Sequence, residues 1–76
     1  LPEADFEVGD LVVWPNPGAS EFFVGGAGTV RVHGLDGRFM GQFAAGAQSP
    51  ISTLGWAPGV YVITSPWGHA RWLKLP

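Results

Sequence analysis

Twelve glycines and seven prolines are scattered along this chain of 76 residues, and they cut its apolar material into short runs. Neither residue suits a helix interior, because glycine costs backbone entropy there and proline lacks the N–H a helix needs. Short strands joined by turns meet no such conflict, so the punctuation predicts an all-β domain without a long helix. The composition is that of a chain able to fold, with 46% hydrophobic and only 13% charged residues. At this length there is room for one domain, burying about 60% of the surface its unfolded chain exposes.

Residues 1–9, "LPEADFEVG", read as an acidic linker in which Glu3, Asp5 and Glu7 alternate with small or apolar residues. They show neither the basic nor the apolar region of a signal peptide. Residues 10–76 form the domain. "DLVVW" reads as a first strand, stopped by Pro15, Asn16 and Pro17 because two prolines remove backbone donors. "EFFVGG" is a second strand, and "GGAG" a flexible connection into "TVRVHGL". That third strand alternates, with Val30 and Val32 on one face and Thr29, Arg31 and His33 on the other.

Asp36-Gly37 predicts a type I′ hairpin turn pairing "TVRVHGL" with "RFMGQFA", which places Phe39 and Phe43 on one face. "SPISTL" makes a fifth strand and "GWAPG" a turn. "VYVITS" and "ARWLKL" close the chain as a hairpin around Ser65-Pro66-Trp67-Gly68. The total is about seven short strands, a count typical of small antiparallel sandwiches. In the last hairpin Val60 and Val62 point one way and Tyr61 and Ile63 the other, with Leu73 and Leu75 opposite Trp72. A small sandwich covers one face of each sheet, so an apolar outer face here is either covered by loops or offered to a partner.

Catalytic chemistry has little to work with. Of the carboxylates Glu3, Asp5, Glu7, Asp10, Glu21 and Asp36, most fall in the linker and no spacing suggests an acid–base pair. His33 and His69 stand apart without a third ligand, and no cysteine is present, so neither a metal site nor a disulfide framework is expected. The serines lie outside any nucleophile elbow, and "GGAG" precedes a strand rather than a helix. An enzyme is not expected, nor a cofactor. A net charge of −2 speaks against nucleic acid, and no run is long enough to span a bilayer.

Four tryptophans remain, and tryptophans on a small β-domain can stack on sugar rings. Trp14 and Trp72, within strands, read as core, whereas Trp67 at a turn tip reads as exposed. A carbohydrate-binding or adhesion module is the alternative function on this ground.

The order of the punctuation carries a more specific signal. "VVWPNP", "VHGLDGR", "LGWAPGVYVI" and a basic closing strand, in that order over residues 10–74, resemble the type A C-terminal sorting domain of the type IX secretion system of Bacteroidetes. The resemblance implies an immunoglobulin-like β-sandwich that follows a passenger and directs it across the outer membrane to the cell surface. It implies as partners the passenger, an outer-membrane translocon, a shuttle protein, and a sortase that cleaves the domain. Pro15, Asn16 and Pro17 match the first motif of that family, Gly37 and Arg38 the second, and Gly59, Val60 and Tyr61 the third. Arg71 and Lys74 match its basic closing strand. The tryptophan in "GWAPG" and the apolar hairpin tip "SPWGH" depart from the usual pattern.

Overall fold

The computed structural model describes residues 11–76. The linker expected at residues 1–9 lies outside them. Five strands follow in chain order: β1 (Val13–Trp14), β2 (Glu21–Gly34), β3 (Phe39–Ser52), β4 (Gly59–Ser65) and β5 (Gly68–Lys74). Every ladder is antiparallel, and no helix occurs among the described residues. The all-β, antiparallel class holds; the expected count of seven short strands does not.

The difference has one cause, repeated twice. "EFFVGG" and "TVRVHGL" are a single bent strand, β2, because "GGAG" stays in the sheet as an irregularity between Val24 and Thr29. Gly26 and Gly28 take positive φ there, so the glycines bend the strand without ending it. "RFMGQFA" and "SPISTL" merge in the same way into β3, opposite that bend.

β2 is the spine. One of its edges carries β3; the other carries β1 at its start and β4 at its end. β5 then pairs with β4. The sheet curls until its outer strand meets the segment around β1. The N–H of Leu11 donates to His69, that of Gly18 donates to Leu73, and that of Leu75 donates to Gly18. The free edge of the closing hairpin is thus covered by the chain's own early segment.

The curl encloses a core of Leu11, Phe22, Val24, Val30, Val32, Ile51, Tyr61, Ile63 and Trp72. Trp72 is fully buried and stacks on Phe22 with ring centroids 4.5 Å apart. Thr53 is also buried, with its N–H bonded to the carbonyl of Ser20. The alternations read from the sequence hold in β2 and β4. Val30, Val32, Tyr61 and Ile63 face inward, while Arg31 is exposed and Val60 and Val62 are half-buried.

Three local expectations need correcting. The turn between β2 and β3 is not type I′, since Asp36 lacks the positive φ that such a turn requires. The N–H of Gly37 bonds back to Gly34, Gly37 alone takes φ +93°, and the N–H of Gly34 bonds to Arg38. This is a type I turn closed by a glycine bulge. A second irregularity follows at Met40, for His33 pairs with Phe39 whereas Val32 pairs with Gly41. The extra residue reverses the alternation, so Phe39 turns outward against His33 while Phe43 packs toward the core beside Trp56. Finally, Trp14 is not core. It is 37% exposed and lies flat on Phe23, its register partner, at 5.7 Å.

Candidate functional site

The ten residues singled out by motif lie at one end of the sheet. Gly34 pairs with Tyr61, and Tyr61 pairs with Trp72. Asn16 then grips the chain on either side of Trp72: its Nδ2 donates to the Arg71 carbonyl at 2.9 Å, and its Oδ1 accepts from the Leu73 N–H at 3.1 Å. Segments from four parts of the sequence therefore meet at one level of the curled sheet.

On one side sit Pro15, Asn16 and Pro17 against the closing strand. The two prolines, both preceded by cis peptide bonds, end β1 as expected. The asparagine between them does more than mark a turn, because its amide mimics a backbone unit and extends the pairing of β5. Trp72 Nε1 donates to the Pro15 carbonyl at 2.6 Å, and the Lys74 ammonium donates to the Ala19 carbonyl. Lys74 is thereby tied down. Arg71 is exposed on the outer face, where its register partner is Val62. Gly18, which no motif reading singled out, is buried in this joint. A Cβ there would fall 2.9 Å from the Trp72 ring and 3.0 Å from the Pro15 carbonyl. Its only sequence signal is its place directly after "PNP".

On the other side lies a groove of about 390 Å³, walled by the β2–β3 turn and the approach to β4. Arg38, Gly59, Val60 and Tyr61 line it together with Met40 and Trp56; Gly37 sits in the adjoining turn. Tyr61 fixes one wall. Its hydroxyl donates to the Ala57 carbonyl four residues upstream, the arrangement known in immunoglobulin-like sandwiches as a tyrosine corner. Trp56 packs over Tyr61 at 4.9 Å, so the bend carrying Pro58 is held from both ends. The "PGVY" motif is thus a corner whose parts bond to one another. Asp36 Oδ1 accepts from the Arg38 N–H at 3.0 Å, leaving the guanidinium exposed at the mouth.

This end offers an apolar floor, two exposed cations, Arg38 and Arg71, and a rim held by hydrogen bonds. Among the described residues no group of three metal-ligating side chains occurs, and no helix is long and apolar enough to cross a membrane. Sequence reasoning missed Trp56 and Met40 as groove walls, since only the bulge at Met40 and the Tyr61 corner bring them there. Comparison with protein-family models, with curated proteins and with solved structures finds no match to this chain.

Proposed function

We propose that this domain is a non-catalytic sorting label, read by a type IX secretion machinery as it carries a passenger across the outer membrane. The observation that carries the reading is the convergence of all three motifs and the closing strand on one end of the sheet. Motifs far apart in sequence meet there in space, as a recognition surface requires. Within it the residues divide between two tasks. Asn16, Gly59, Tyr61 and Lys74 hold the surface together, and Arg38 with Val60 and the groove offers it to the machinery. On this reading the partners are the passenger, the translocon, the shuttle protein and the sortase, and the destination is the cell surface.

The test is export of a periplasmic reporter fused ahead of residues 1–76, in a host with a type IX system. The wild-type fusion reaches the medium or the cell surface. Arg38→Ala loses export while keeping its melting temperature, since surface substitutions shift stability by less than about 0.5 kcal/mol. Retention of the wild-type reporter in the periplasm sinks the proposal.

A second reading, a carbohydrate-binding module, has its own observation in the exposed Trp14–Phe23 stack. It predicts glycan binding that Trp14→Ala abolishes.

A further inference from the structure

The outer face of the sheet carries a second feature, three positions along β2 and β4 from the Gly34–Tyr61 pair of the motif-bearing end. Arg31 projects from the latter part of β2 between two buried valines, Val30 and Val32. The register sets Gln42 of β3 on one side of it and Thr64 of β4 on the other. Around them lies a depression of about 380 Å³ lined by Thr29, Arg31, Gln42, Thr64, Ser65 and Pro66. The lining has one cation, an amide and three hydroxyls, and no carboxylate.

We propose that this depression binds a carboxylate carried on a hydroxylated ring, the chemistry of a uronic acid. The guanidinium offers two parallel N–H donors that match a planar carboxylate. The described carboxylates leave it unopposed, because Asp36 is engaged at the β2–β3 turn and Glu21 stands at the far end of β2. One cation balances one carboxylate, whereas a phosphate carries close to two charges and recruits clustered cations. The hydroxyls of Thr29 and Thr64 and the Gln42 amide both donate and accept, as ring hydroxyls require.

The turn that carries Ser65 and Pro66 of the lining is itself anchored. Trp67 follows Pro66 and is 36% exposed, and its ring lies across the Gly26–Gly28 backbone. At Gly28, where φ is +106°, a Cβ would come 3.2 Å from that indole, so the ring lies close against the backbone just before Thr29. Ser65 holds the tip, its Oγ bonded to the Gly68 carbonyl at 3.2 Å and to the Trp67 N–H at 3.1 Å. This site does not depend on the sorting proposal, because it lies toward the Ser65–Gly68 turn, away from Gly59 and Lys74.

The experiment is an amide NMR titration of the 76-residue chain with sodium glucuronate, glucose, acetate and inorganic phosphate in parallel. Glucuronate is expected to give saturable shifts at Thr29, Arg31, Gln42 and Thr64, and glucose and acetate none that saturate. Arg31→Gln is expected to weaken glucuronate binding by roughly tenfold or more, as loss of a charge-assisted pair implies. Its unshifted spectrum elsewhere shows that the fold is kept. Arg31→Lys keeps the charge without the fork and falls between the two. Absence of saturation by glucuronate, equal binding of acetate or tighter binding of phosphate, or full glucuronate affinity in Arg31→Gln, each overturns the proposal.

Discussion

The indole nitrogen of Trp72 donates to the carbonyl of Pro15 at 2.6 Å, joining two residues 57 positions apart. The same ring stacks on Phe22 and is fully buried, so one side chain fills the core and ties its rim. Trp72→Phe keeps an aromatic ring but orphans the Pro15 carbonyl. A partly buried acceptor without its donor costs about 1–3 kcal/mol, and the smaller ring adds to the loss. Urea denaturation should show a lower midpoint with an unchanged slope.

Asn16 separates donor from acceptor in a testable way. Asn16→Ala removes both bonds and should free the Leu73 amide to exchange with solvent. Asn16→Asp keeps the acceptor for Leu73 but sets a second oxygen against the Arg71 carbonyl. Both variants lose about 1–2 kcal/mol, yet only Asn16→Ala should lose local protection at Leu73. Native-state hydrogen exchange reads the difference.

Two glycines should fail for different reasons. Gly37 has open space where a Cβ would go, so Gly37→Ala pays only for its left-handed backbone, about 1 kcal/mol. Gly18→Ala drives a methyl into Trp72 and the Pro15 carbonyl, and overpacking of that kind costs about 1–3 kcal/mol. Thermal melts of the two variants side by side give the ranking; a Gly18→Ala protein as stable as wild type refutes the tight joint.

Tyr61→Phe removes one hydroxyl and leaves the ring in place. Loss of its bond to the Ala57 carbonyl should cost about 1 kcal/mol. The loss should be concentrated in the bend at Trp56–Gly59, where amide exchange is expected to rise before it does elsewhere in the sheet.

The sequence revealed strands wherever side chains alternate, and it revealed the turns at Pro15–Pro17, Asp36-Gly37, Pro58 and Pro66. Val30 and Val32, Tyr61 and Ile63 fell on the expected faces because period-two burial is a local property. What could not be read was continuity through "GGAG", since a glycine pair marks a bend within a strand as readily as a break between two. The Met40 bulge was equally hidden, and with it the outward turn of Phe39. At the motif-bearing end the residue types were legible and their partners were not. Lys74 was legible as a basic residue of the closing strand, but the bond from its ammonium to the Ala19 carbonyl was not, and that bond leaves Arg38 and Arg71 as the exposed cations there. Bonds spanning 55 residues leave no trace in a window of ten.

The closure of the sheet by its last strand and the segments flanking β1 bears on how this domain can fold. Each bond that Asn16 and Pro15 make to β5 spans 55 or 57 positions. Such long loops must close before any contact rewards them, and topologies dominated by distant pairings fold slowly for that reason. Without β5, the core surface that Trp72 covers, Phe22 above all, is left bare. Only when Leu73 and its neighbours are in place can Asn16 and Gly18 close the sheet, so the last seven-residue strand completes the core rather than merely extending it.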